Sequence, residues 1–248
     1  IVDCVWIQDR RKRPLDQLVT DAQAFAQRVS EQVGIPLEYE DIYRFIGFVP
    51  SRMHGAGSLT KYWAFGEHGL KVRGIEERQH STCRWIAELQ RSALQALVEH
   101  STDEGGRPEA TAQQAVIKIY QEQVRRLKSN EVPLEDLVVA RRINRELSEF
   151  GVATLAHAAL LRGRLHGVTI PPGGKVRFAV IASTGTVQHE RVILLEELKH
   201  TPIRSERANI EHYSALALRA VWAILAPFGW DEEEITIGRR RISLRNYA

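Results

Sequence analysis

Asp3 stands in the run Ile1-Val2-Asp3-Cys4-Val5-Trp6, a carboxylate among apolar and β-branched residues. Burying a charge in such a run is costly unless a counter-charge or a metal compensates it. Asp3 is therefore a candidate ligand for a divalent cation, with further carboxylates needed to complete a site. Glu38 and Glu40 are two apart, so in an extended segment they share one face; they read as solvated strand residues, the alternative being an auxiliary acid at a metal site. Cations offer the second chemistry. Lys61-Tyr62 lies 12 residues before Arg73-Gly74-Ile75-Glu76, and Arg78 follows. Further on come Arg125-Arg126-Lys128, Arg141-Arg142-Arg145, and the alternating Lys175 and Arg177. Lysines and arginines grouped in this way contact phosphates through charge-assisted hydrogen bonds.

These residues need elements to position them. Ile1 to Gln8 is short, apolar and rich in β-branched residues, and reads as a buried strand. From Pro14, the residues Leu15, Leu18, Val19, Ala22, Phe25, Ala26, Val29 and Val33 recur at helical spacing, with Gly34 just beyond. Proline at the start and glycine after the end mark an amphipathic helix. Strands are expected near Leu37–Tyr39, Ile42–Val49 and Tyr62–Phe65, so the first 79 residues read as α+β with a mainly antiparallel sheet. Helical stripes follow, one from Trp85 to Val98 and one from Ala112 to Val124. The pattern then predicts a short strand at Val138–Val139, a helix over Thr154–Leu165, a tight turn at Pro171 to Gly174, a strand over Val176–Ala182 and a last helix over Ser214–Leu225.

With 248 residues, 44% hydrophobic and 26% charged, the chain has the composition of a globular protein. No apolar run approaches the roughly 18 residues of a membrane span, so no membrane association is expected. No secretory signal is visible, and a reducing cytoplasm is the expected location. Cys4 and Cys83, far apart, make neither a zinc site nor a disulfide framework. The nine histidines show no ligand spacing, and no Ser-His-Asp order, Walker loop or dinucleotide fingerprint is present. A net charge of +3 with basic clusters fits a polyanionic partner.

The order of these motifs resembles the C-terminal palm and thumb region of B-family DNA polymerases, in particular its divergent archaeal and bacterial branches. Ile1-Val2-Asp3-Cys4 is similar to the last four positions of the family's Tyr-Gly-Asp-Thr-Asp-Ser motif, with Ile1 in place of the first aspartate and Cys4 in place of the serine. Lys61-Tyr62 resembles the end of Lys-Lys-Arg-Tyr, and Arg73-Gly74-Ile75-Glu76 resembles Arg/Lys-Gly-Leu/Ile-Glu. Glu131 to Val139 with Arg141-Arg142-Ile143, Pro172 to Phe178, and Ile224 to Trp230 resemble successive thumb segments.

The resemblance implies an α+β fold: a partial palm of antiparallel sheet plus helix over 1–79, then a mainly helical thumb over 80–248. It implies a DNA-directed DNA polymerase in replication or repair, incomplete as this chain alone, in which Asp3 is catalytic and binds Mg2+ in a two-metal site shared with residues outside the chain. Lys61, Tyr62, Arg73, Arg78, Arg141, Arg142, Lys175 and Arg177 would contact DNA. The implied partners are primer-template DNA, a dNTP, and the N-terminal, fingers and exonuclease portion of the polymerase, as a preceding segment or a separate chain. Such a protein would be nucleoid-associated. The rival expectation is a catalytically inactive, polymerase-derived DNA-binding subunit, which Ile1, and Gln79-His80-Ser81 in place of the family's Arg-Arg-Asp, favour.

Overall fold

The structure is a computed structural model that describes residues 4–10, 13–100, 108–182, 187–200 and 207–240. Helix α1, Leu15–Val33, forms as its periodicity demands and ends at Gly34, whose φ of 70° lets its N–H return to Ser30 O. Its apolar stripe is mostly not buried: Ala26 is its one buried residue, and Leu15 and Val33 are 46% and 58% exposed.

Strands β1 (Tyr43–Pro50), β2 (Gly57–Gly66) and β3 (Gly69–Arg73) make an antiparallel sheet in the order β1-β2-β3. Two expected strands are corrected. Residues 37–39 are not a strand, because Leu37 N donates to Ser30 Oγ at 2.7 Å and so folds the segment back on α1. Of the strand expected at Ile1–Gln8, residues 4–8 are irregular, and Val5 and Ile7 are 63% and 68% exposed. No described strand runs beside them to take up their backbone groups. Only Trp6 is anchored, its ring within 5.2–5.8 Å of Tyr43, Phe48 and Tyr62.

Helices α2 (Arg84–Glu99) and α3 (Ala110–Lys128) follow. A second antiparallel sheet, in the order β4-β5-β6, comprises Val139–Arg142, Lys175–Val180 and Val192–Leu194, with α4 (Leu155–Leu165) packed on it. Thr154, expected as the first residue of α4, is its N-cap and accepts from His157 N. Helix α5 (Leu195–His200) leads toward α6 (Ile210–Leu225), and α7 (Glu232–Ile237) closes the described chain. β4 and α6 are longer than their sequence patterns indicate.

The expected division at residue 79 lies in the coil between a 3-10 turn, Glu76–Arg78, and α2. The apolar core crosses it without a break, joining Trp63, Phe65 and Ile75 to α2, α3, α6 and the second sheet. Trp63 and Phe45 of the first sheet lie against Phe228, the Phe45 and Phe228 rings stacking at 5.4 Å, and Trp63 Nε1 donates to Ala223 O at 3.2 Å.

Candidate nucleic-acid interface

The first basic surface is built by the turn out of β3. Gly74 has φ +65°, and a Cβ there would stand 2.1 Å from Thr60 O and 3.1 Å from Lys61 Cγ. Only glycine permits that approach, which brings Arg73-Gly74 against Thr60-Lys61. Arg73 pairs with Tyr62 across the β2–β3 ladder. Lys61, Arg73 and Arg78 are exposed, and none of them makes an ion pair among the described residues. Tyr62 departs from the expectation of a surface contact. It is 2% exposed, with its ring packed on Trp6 and Phe48.

Behind this surface the acids are already engaged. Glu77 binds Arg91 at 3.0 Å, and Glu76 accepts from Gln90 Nε2 at 3.0 Å. Lys71 also faces inward. It is ion-paired with Glu40 and lies 5.7–6.0 Å from the rings of Trp6, Tyr43 and Tyr62. Burial disfavours its charge, but hydrogen bonds to Glu40 and Tyr43 outweigh that and hold its pKa above the ordinary lysine value. Glu40, read from sequence as a solvated carboxylate, thus has a partner 31 residues away that no local pattern reveals.

The second basic surface is a face of the β4–β5 ladder. Residues directly opposite in an antiparallel pair project to the same side, and neighbours along a strand alternate. Val139 opposite Phe178 faces the core, at 4% and 1% exposed. Ala140 opposite Arg177, and Arg142 opposite Lys175, therefore share the outer face. Arg141, opposite Val176, belongs to the other side, one pair in from the end of the ladder. The turn that delivers Lys175 is fixed by Ile143 N donating to Gly174 O at 2.9 Å and Gly173 N donating to Ile143 O at 2.7 Å. Arg141, Arg142, Lys175 and Arg177 are all exposed and make no ion pair among the described residues.

Like charges directly opposite across a ladder destabilise a sheet. The Arg142–Lys175 pair, extended by Arg177, is thus an unfavourable arrangement for the isolated fold and a favourable one for meeting phosphates. Nearby on α6, half-buried His212 has its pKa pushed below the ordinary value, first by burial and then by the positive charges of Arg141, Arg191 and Arg219.

Asp3 lies outside the described residues. Among the described residues, no group of three or more His, Cys, Asp or Glu could hold a metal ion. These residues alone do not fit a Mg2+ site. No described helix is long and apolar enough to cross a membrane.

Comparison with known proteins bears directly on this geometry. The model of DNA polymerase family B matches residues 3–227. The chain belongs to DNA polymerase family B. It is 29% identical over 210 residues to a DNA polymerase of Thermococcus hydrothermalis, covering 84% of this chain and 11% of the relative. It is also 29% identical over 204 residues to a DNA polymerase of Thermococcus sp. (strain 9oN-7), covering 81% and 23%. The chain thus spans about a tenth to a quarter of the length of these curated relatives. In fold it is similar to the family B DNA polymerase from Pyrobaculum calidifontis, with a TM-score of 0.54, 20% identity, and coverage of 82% of this chain and 23% of that one. Family membership and the α+β fold expected from the motif order are both borne out.

Proposed function

We propose that this chain is the duplex-gripping part of a DNA-directed DNA polymerase, with residues 1–79 as the C-terminal half of a palm and 80–248 as a thumb. The observation that carries the reading is the outer face of the second sheet, where Arg142 opposes Lys175 and Arg177 extends the row with no acidic partner among the described residues. Lys61, Arg73 and Arg78 form the companion surface on the first sheet, and both would contact phosphates of a primer-template. Tyr62, buried and directly opposite Arg73, would fix the β2–β3 pairing that carries Lys61 and Arg73. Arg141 would act beside His212, one pair in from the end of the ladder.

In this reading Asp3 is a Mg2+ ligand whose companion carboxylates come from outside the described residues. The reaction is addition of a dNTP to a primer 3′ end. The remaining catalytic, fingers and exonuclease portions are supplied by a preceding segment or a separate chain, and the assembly works on the nucleoid. A second reading, a catalytically inactive DNA-binding subunit, is favoured by Ile1 in place of the motif's first aspartate.

Mg2+-dependent primer extension by the chain together with the polypeptide that carries the rest of the polymerase separates the two. Extension that is lost in Asp3→Asn supports the enzyme. Duplex binding with no extension by the native assembly selects the inactive subunit. Failure of the native chain to bind duplex refutes both.

A further inference from the structure

Among the described residues, the buried side chains classed as polar or charged are Gln90 and Glu234, and Gln90 is fully enclosed. Its amide is completely engaged. Oε1 accepts from Glu77 N at 2.6 Å, while Nε2 donates to Glu76 Oε2 at 3.0 Å and to Ala220 O at 2.8 Å. Gln90 therefore ties α2 both to the turn that carries Arg78 and to the middle of α6. Three residues further along α6, Ala223 O accepts the indole N–H of Trp63, which lies two residues from Lys61 in β2. Near the other end of the helix, the Tyr213 hydroxyl donates to Leu137 O and accepts from Val180 N, both at 2.8 Å. These bonds fasten α6 to β5, which carries Lys175 and Arg177, and to the 3-10 turn Leu134–Leu137, which leads into the strand that carries Arg142. Both basic surfaces are thus hydrogen-bonded to one 16-residue helix.

We propose that α6 sets the separation and orientation of the two basic surfaces, and that Gln90 is the positioning residue that locks the first surface to it, so that both engage one duplex at once. The physical argument is geometric. Apolar contacts tolerate small slides, so a leucine of similar size would fill the same space in several registers. A buried amide with all three bonds made is satisfied in one placement only, and leaving a buried polar group unpaired is penalised. Linking two contact surfaces rigidly raises the effective concentration of the second once the first is bound. The proposal rests on the duplex-grip reading.

The test is the salt dependence of primer-template duplex binding by the full chain, followed by fluorescence anisotropy, for native protein, Gln90→Leu and Tyr213→Phe. Trp230→Phe is the control, because it loses a part-buried bond to Gln113 outside this strut. Each phosphate contact contributes about −0.9 to the slope of log K against log salt. In Gln90→Leu and Tyr213→Phe the slope is expected to become shallower by about 2 to 3, as one surface disengages, with affinity weakened about tenfold or more. Trp230→Phe keeps the native slope. Should Gln90→Leu fail to fold, Tyr213→Phe, which removes a single oxygen, carries the test. Folded variants with the native slope overturn the positioning role and leave the duplex grip standing. A native chain with no salt-dependent duplex binding overturns both.

Discussion

Reversing one charge on the second sheet should move stability and binding in opposite directions. Lys175 faces Arg142 directly, and Arg177 stands on the same side two pairs along the ladder. In Lys175→Glu the cross-strand pair changes from repulsive to attractive. An opposite-charge pair in this position is worth about 0.2–1 kcal/mol, and the like-charge pair costs a comparable amount. For exposed side chains screened by solvent the lower part of that range applies, so the variant gains about 0.5 kcal/mol in all. Binding responds in the other sense. Losing one phosphate contact makes the slope of log K against log salt shallower by about 0.9. Across a fourfold change in salt, the native advantage over the variant therefore shrinks about 3.5-fold. Urea denaturation of the free chain and anisotropy titrations of a primer-template at two salt concentrations measure the two arms. A variant that is less stable than native, or that binds with an unchanged slope, refutes the claim that this face is strained by repulsion and relieved by phosphates.

Three further outcomes test the surrounding structure. Gly74→Ala places a methyl 2.1 Å from Thr60 O at a φ of +65°, so it should destabilise by about 1–3 kcal/mol by thermal melting and weaken duplex binding through Lys61 and Arg73. Arg162 forms a bidentate pair with Glu197, each side chain 15% exposed. Arg162→Ala should cost about 2–3 kcal/mol in urea denaturation by removing that carboxylate's guanidinium partner and leaving it only Leu194 N and His166. Burial pushes the Glu197 pKa up, but Arg162 and Leu194 N outweigh this and hold it low, so the pair's contribution is present above the ordinary carboxylate range and is lost as pH falls through the depressed value. His212 acts in the same direction, at a higher pH. Its folded pKa lies below the ordinary 6.5, so the unfolded chain binds the extra proton first, and stability falls as pH drops below that value. His212→Gln should flatten this part of the profile, as read from denaturation midpoints at about pH 7.5 and about pH 5.5.

The regular elements were legible in the sequence where one local rule governs them. Pro14, a long apolar stripe and Gly34 mark α1, and Pro171 to Gly174 marks the turn into β5. The cations of the two surfaces were legible as clusters, but their pairing was not. That Arg142 opposes Lys175 and Arg141 turns to the other side depends on ladder register, which is set by contacts 33 residues apart in the chain. The short strand β6 and helices α5 and α7 were missed because three to six residues give too little periodicity to register. The part of the expected Ile1–Gln8 strand that lies within the described residues, 4–8, is irregular for a different reason. A β-branched apolar run has strand propensity, but a strand forms only where a neighbour takes its backbone bonds, and among residues 4–8 only Trp6 is held by the sheet.

Helices α1 and α6 show what amphipathic patterning leaves undetermined. Both carry apolar residues at helical spacing, yet α1 buries only Ala26 while α6 buries seven residues, Tyr213 among them. A stripe states that an apolar face is available. It does not state what covers it or in which orientation. On α6 that orientation comes from polar groups that periodicity ignores: a glutamine amide, an indole N–H and a phenol hydroxyl, each bonded to a backbone group it can reach in one geometry. Apolar burial supplies most of the favourable free energy of the fold, whereas these few buried bonds fix how one basic surface stands relative to the other. The proposed duplex grip therefore depends most on residues that contribute little to the hydrophobic pattern, and substitutions at Gln90 and Tyr213 should separate stability from duplex binding more cleanly than any leucine of the same core.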